Sequence, residues 1–442
     1  MSDSLSSQWV GHFEALLDIE TIRQRAAVTV TPIAGLLAMP LELAHARLEH
    51  ALKTIFYPTT QCLSVLKRLV GVAHAHCMAV YPDNRSFLCG VYANAPPLAE
   101  FVPPICLTGL AGTGKTEILK AFGRLHDCND SVMVDSDHPP FQIRGSQLVT
   151  VKARSSPKDV LRCFAQGEGT PTELIISGRK LAYRDGLALL LSDEFQFATG
   201  SENANARVAQ MLFSLGYLGI PFVYAANFSL INRLQRRPGE EQHRLLSNPI
   251  VLTPDCATSV DWQNTLAALR SVAPEIFVFD PVKDAEPLHA DCAGRKRAMA
   301  KLLLLAFRDQ YHRSGRVDRG AIHHAYLSAE FAGYREETEI LSTQAIQCRA
   351  HAKRKDLWCP IPLTGSAATA FLEAAVSARE ELVADAELTA ALTREEKRGV
   401  AKVGQGISKK TNVSGQVVPL PRKSAATAID LKRNAGLFRD HL

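Results

Sequence analysis

Gly109-Leu-Ala-Gly-Thr-Gly-Lys-Thr116 fits the phosphate-loop pattern G-x-x-x-x-G-K-[ST] without a mismatch. Each part has a physical reason. Glycines let successive backbone N–H groups turn inward around an anion. A helix that starts at the loop's end aims its positive pole at the same charge. The lysine reaches the outer phosphates and the threonine hydroxyl ligates magnesium. The flanks agree, with an apolar run, Ile105–Thr108, before the loop and a helical pattern, Glu117–Leu125, after it. Gly109, Gly112, Thr113, Gly114, Lys115, Thr116 and Glu117 are therefore the expected ATP-binding residues, and Thr116 an expected Mg2+ ligand.

Outward from the loop, Leu187-Ala-Leu-Leu-Leu-Ser-Asp-Glu194 is an apolar run without alternation that ends in two carboxylates. Such a run is a strand buried on both faces. Ligands of an open parallel sheet sit at the carboxyl ends of its strands. Asp193 is expected in the magnesium shell and Glu194 as the base that polarises an attacking water. A further strand, Phe222–Ala226, runs into Asn227, which can position the water or the outer phosphate, or simply cap the helix that follows. Arg233, Arg236, Arg237 and Arg244 form a basic cluster. Arg244, just before the next strand Asn248–Leu252, best suits an arginine that completes a neighbouring subunit's site, with Arg237 second and a solvated surface cluster as the alternative. Arg295 and Arg297 open a later helix as alternatives for a second phosphate sensor, although exposed arginines are commonly just solvated. Lys152, Arg154, Arg179 and Lys180 are the candidate contacts to nucleic-acid phosphates.

Strands at Ile105–Thr108, Leu148–Lys152, Leu187–Ser192 and Phe222–Ala226 alternate with helices such as Ala204–Leu215, which means a parallel sheet covered on both sides. The fold class expected is thus α/β, a P-loop NTPase sheet between helices. Residues 1–100 read as an N-terminal helical extension, with Leu41–Lys53 and Leu63–Ala73 apolar at helical spacing. The nucleotide-binding domain spans 101–255. A helical lid spans 256–384, with Arg297–Tyr311, Ala321–Phe331 and Ala367–Val383 as its helices. Residues 385–442 form a basic tail expected to bind partners, with a short helical pattern at Ala425–His441. From Arg394 to Leu442 there are eleven Lys/Arg against four Asp/Glu, a net +7, whereas the whole chain of 442 residues carries only +5.

The composition narrows the classes further. A hydrophobic fraction of 46% supplies a sizeable core. None of the ten cysteines pairs at C-x-x-C spacing, which argues against a zinc site or a disulfide framework and for free thiols in a reducing compartment. The polar N-terminus lacks a signal-peptide core, and no run approaches the roughly 18–20 apolar residues of a membrane span. A cytoplasmic protein without membrane contact is expected. Metal-ligand histidine spacing and a G-x-S-x-G element are both missing from the sequence.

The order of strand, phosphate loop, strand-end Asp-Glu, Asn-bearing strand, arginine and helical lid resembles the AAA+ ATPases, in which Asn227 would be the first sensor. Finer features resemble the TnsC/TniB regulators of DNA transposition. These are Phe56-Tyr-Pro-Thr-Thr-Gln-Cys-Leu-Ser-Val-Leu-Lys-Arg-Leu-Val70, Asp193-Glu-Phe-Gln196, Leu215-Gly-Tyr-Leu-Gly-Ile-Pro221, and the stretch from Ala293-Gly-Arg to Ala329. The resemblance covers roughly residues 42–335. It implies a homo-oligomer, ring or filament, that forms with ATP and Mg2+ on double-stranded DNA, links a target-selection protein to the transposase, and uses hydrolysis to set the lifetime of the assembly. The tail and the segment around Pro238-Gly-Glu240 have no counterpart in that family's pattern. Two rival readings are an ATP-dependent signalling or immunity switch and a replication-type AAA+ motor. The absence of a recognisable effector domain weighs against the first, and that of a helix-turn-helix against sequence-specific loading.

Overall fold

The computed structural model describes residues 7–126, 131–152, 155–195, 204–347 and 349–361. All belong to one compact unit, 1–379; a second, 380–442, lies outside the described residues. So do Arg154, Gln196, the helical patterns Ala367–Val383 and Ala425–His441, and the basic tail.

Helices α1 (Gln8–Glu14), α2 (Ile19–Ala26), α3 (Leu41–Thr54), α4 (Thr60–Val80) and α5 (Asn84–Tyr92) come first. Their starts are written in the sequence. Ser7, Asp18, Thr59 and Asp83 each accept a hydrogen bond from a first-turn N–H of the following helix. Next come β1 (Ile105–Gly109), α6 (Lys115–Arg124), a small antiparallel hairpin of β2 (Ser131–Val132) and β3 (Phe141–Gln142), and β4 (Ser146–Thr150). They are followed by α7 (Pro157–Leu161), α8 (Pro171–Arg184), β5 (Leu189–Asp193), α9 (Ala204–Gly216), β6 (Phe222–Asn227), α10 (Phe228–Leu234), α11 (Gly239–Leu245) and β7 (Asn248–Leu252). The lid is α12 (Val260–Ser271), α13 (Ala285–Cys292), α14 (Lys296–Gln310), α15 (Arg319–Leu327) and α16 (Ala332–Gln347), followed by a 3-10 turn at Lys355–Leu357.

The main sheet has the order β4-β5-β6-β1-β7, and every neighbouring pair is parallel. All five residues of both β1 and β5 are buried, so helices cover both faces, while the edge strands β4 and β7 are more open. This is the expected α/β P-loop fold with a helical lid. Strand β4 begins and ends two residues earlier than the expected Leu148–Lys152. It is an edge strand in which only Val149 is buried, and hydrophobic content marks such ends poorly. The sequence pattern does not mark the hairpin, because two-residue strands have no period to read.

The first hundred residues divide between two hydrophobic cores. Residues of α1, α2 and α4 join the sheet's core, whereas Ala44, Leu48, Ala51 and Leu52 of α3 join that of the lid. A third, small cluster bridges the two, built on Leu110 of the phosphate loop, Phe228 of α10 and Leu357.

Helix α4 outruns the expected Leu63–Ala73, and at 21 residues it is long and apolar enough to cross a membrane by length and composition. Its Leu63, Leu66, Leu69, Val70 and Ala73 are buried in the sheet's core, which explains that apolar face within the fold. Replacing fully buried Leu66 by Ala is expected to cost about 2–5 kcal/mol in urea unfolding. Met78→Ala on the same helix, at a side chain 57% exposed, should stay within about 0.5 kcal/mol. Equal, small losses would mean that this face of α4 is not core.

Candidate functional site

The strand register brings the site together. Gly109, where β1 gives way to the loop, pairs with Asn227 on one side and Leu252 on the other. Asp193 ends β5, opposite Thr150. The residues singled out in the sequence thus share the carboxyl edge of the sheet.

The loop turns through Gly112 at φ 87° and Gly114 at φ 105°, a region that side chains disfavour. A Cβ on Gly112 would also come within 3.0 Å of the Cβ of Arg297 in the lid. Gly114 is the N-cap of α6, and Lys115 and Thr116 form its first turn. Thr113 Oγ1 donates to the Leu110 carbonyl at 3.0 Å, closing the loop on itself. Lys115 Nζ donates to the carbonyls of Gly109 and Leu110 at 2.9 and 2.8 Å. Its side chain is buried, and burial pushes its pKa down to about 8. The Asp193 carboxylate opposes that shift and Arg297 adds to it. Glu117 turns its carboxylate to Lys120 at 2.9 Å on the helix surface, so what it can offer a nucleotide is its backbone.

Asp193 is 5% exposed, and its Oδ1 accepts the Glu194 N–H at 2.9 Å. Glu194 sits at φ 65°, a left-handed conformation that a non-glycine residue adopts at a cost and that clusters at functional sites. Burial raises its pKa, and the neighbouring Asp193 charge raises it further against Arg297 and Lys115. Asn227 occupies the N-cap position of α10 but makes no capping hydrogen bond with its side chain.

The arginines separate by environment. Arg295 is 2% exposed and is consumed by the lid: it donates to Cys292 O, Tyr334 O, Thr338 Oγ1 and Glu337. Arg297, two residues on, is exposed and stands over the loop. Its backbone N–H lies 3.4 Å from the Gly112 carbonyl, and its charge acts on both Lys115 and Glu194. It stands beside the loop while remaining exposed, so of the two arginines it is the one placed for the second-sensor reading. Sequence placed both arginines at the helix start, and the fold alone decides which one faces the loop.

Arg244 is exposed with its guanidinium 5.7 Å from the centre of the Phe101 ring. It precedes β7, whose first residue pairs with Ile105 at the end of β1 away from the loop. Five strand residues at roughly 3.3 Å each separate the two ends, so Arg244 does not reach its own chain's site. Arg237 is paired with Glu241 at 2.8 Å. Among the candidate nucleic-acid contacts, Lys152 and Lys180 are exposed. Arg179 is half-buried and donates three of its five N–H groups to the carbonyls of Leu98, Ala99 and Tyr217, so most of its fork is engaged within the fold.

The residues present fit a nucleoside triphosphate with magnesium. A buried ammonium, a glycine-lined turn with open space at the Cβ position of Gly114, a helix N-terminus and a buried carboxylate meet at one edge of the sheet.

No protein-family model matches the chain, and no curated protein does. Among solved structures, the Aeropyrum pernix Orc1 protein in complex with DNA aligns with TM-score 0.36 and 16% identity, over 72% of this chain and 82% of that one. Cdc6p from Pyrobaculum aerophilum aligns at 0.34 and 17%, over 66% and 78%. Domain III of the Thermotoga maritima replication initiation protein DnaA aligns at 0.30 and 15%, over 55% and 88%. Scores of this size carry no weight on function, which rests instead on the geometry of the site.

The lowered Lys115 pKa has a measurable consequence. Its folded value of about 8 lies below the ordinary 10.5. The unfolded chain then holds more protons between these values, so this group's contribution to stability rises with pH across that window. A phosphate at the site favours the charged amine, so nucleotide binding at pH 8.5 should take up a fraction of a proton. Calorimetry in buffers of different ionisation heat checks this; the same heat in every buffer would contradict it.

Proposed function

We propose that this chain is an ATPase that hydrolyses ATP at the phosphate loop, with Glu194 as the base. The observation that carries the reading is the convergence of Lys115, the Asp193–Glu194 pair and Arg297 on one turn of backbone. Lys115 has three N–H donors, two of them committed to loop carbonyls, and offers the third to a phosphate oxygen. The N–H groups of the loop and of the first turn of α6 bind the remaining phosphate oxygens. Glu194, with its pKa raised, is suited to take the proton of an attacking water at a carboxylate oxygen. Asn227, its side chain not used as a cap, orients that water or the outer phosphate. Arg297 faces the charge that develops there. A magnesium ion held by Thr116 and Asp193 would supply further neutralisation of the phosphates.

We also infer that the ATPase is an AAA+ regulator of DNA transposition that assembles as a ring or filament on double-stranded DNA, between a target-selection protein and the transposase. Support comes from the segments resembling the TnsC/TniB regulators and from the position of Arg244, which can complete a site only in another subunit. Lys152 and Lys180 are the candidate DNA contacts, and the basic stretch 385–442 the candidate partner-binding segment.

Lys115→Ala is expected to weaken nucleotide binding on the order of a hundredfold, the size of a lost charge-assisted hydrogen bond. Unchanged affinity in a fluorescent-nucleotide titration would remove the loop from the account. Electron microscopy with random duplex DNA should show rings or filaments only when a non-hydrolysable ATP analogue is present. Oligomers indifferent to DNA would favour the signalling switch.

A further inference from the structure

Residues 349–361 leave the lid and run back along the sheet domain. Asn232 of α10 and the helix's C-cap Gln235 donate to the carbonyls of Lys355 and Pro360 at 3.2 and 3.1 Å. Leu357 is 7% exposed and packs with Leu110 of the phosphate loop and Phe228, the residue after Asn227. Partly buried Ile340 and Leu341 of α16 join the same cluster. A strap from the lid therefore packs against the phosphate loop at Leu110.

Charge ties the strap to the helix that carries Arg297. Arg354 donates to both carboxylate oxygens of Asp356 and, at 2.9 Å, to Glu337 Oε1. The other oxygen of Glu337 accepts from buried Arg295, the N-cap of α14. Arg295, Glu337, Arg354 and Asp356 thus alternate in sign along one connected chain. A guanidinium as buried as Arg295 fixes its surroundings, because it cannot move without losing its partners. Lys296 holds the same turn from the other side through Asp255 at 3.3 Å.

We propose that Glu337 and Arg354 are positioning residues: through Arg295 they hold the first turn of α14, and with it Arg297, over the phosphate loop, and they couple that turn to the Leu357 strap. Arg354 touches no residue of the nucleotide site and acts through this network. The proposal rests on the reading of the site as an ATPase centre. Loosening the clamp lets Arg297 drift from the outer phosphate, and displacements of this kind lower turnover by on the order of tenfold to a hundredfold.

The test uses the full chain and an N-methylanthraniloyl-labelled ATP, with nucleotide dissociation followed by stopped flow and with kcat and KM measured for ATP. Arg354→Ala should speed dissociation and lower kcat about tenfold. Glu337→Gln should do the same if it folds; Arg354→Ala, on the strap rather than in a lid helix, keeps the test independent of that outcome. The decisive comparison is Arg297→Ala against Arg297→Ala/Arg354→Ala. Equal defects mean that Arg354 works through Arg297. Defects that multiply, or an Arg354→Ala variant like the wild type, overturn the clamp and leave the ATPase reading standing. A wild-type chain that binds no labelled ATP overturns both.

Discussion

A buried ammonium at the end of a parallel sheet is the constraint on which the rest of this structure turns. Removing a charge from water is costly unless partners are supplied. Lys115 is given two loop carbonyls and faces the buried carboxylate of Asp193. Those carbonyls point inward because the loop turns through left-handed glycines, and the loop is held because β1 is buried along its whole length. Even with its partners, the lysine keeps a lowered pKa, so the site favours an anion that would share the charge.

The acidic pair answers the same constraint from the end of β5, with β6 between it and β1. Asp193 is fixed by the end of β5 and by the N–H of the residue after it. Glu194 turns out of the strand through a left-handed residue, so adjacent carboxylates occupy different environments. The lid completes the arrangement by bringing Arg297 over Gly112, while Arg295 is spent on anchoring the helix. The small cluster of Leu110, Phe228 and Leu357 joins lid to loop.

How much of this was legible in the sequence follows from the range of the forces involved. The loop, the acidic strand end and Asn227 were readable because apolar runs fix buried strands, and parallel order puts their carboxyl ends together. Helix starts were readable where a Ser, Thr or Asp caps its own helix within three residues. The engagement of Arg179 is not legible in the sequence, because its three carbonyl partners come from segments about 40 and 80 residues away, which no local pattern encodes. The choice between Arg295 and Arg297 depends on which side of a helix meets the loop, a property of the packed lid. Helix α3 looks like its neighbours α2 and α4, yet it packs in the lid's core. The assignment of helices to cores is likewise decided by tertiary contact.

The most direct test of the central claim is ATP turnover by Glu194→Gln, measured beside ATP binding. The amide keeps the side chain's shape but cannot accept the water's proton. If Glu194 is the base, binding is retained and the hydrolysis rate falls by about 10²–10⁴. Hydrolysis at the wild-type rate with binding intact would show that the strand-end glutamate is structural and that the chemistry lies elsewhere.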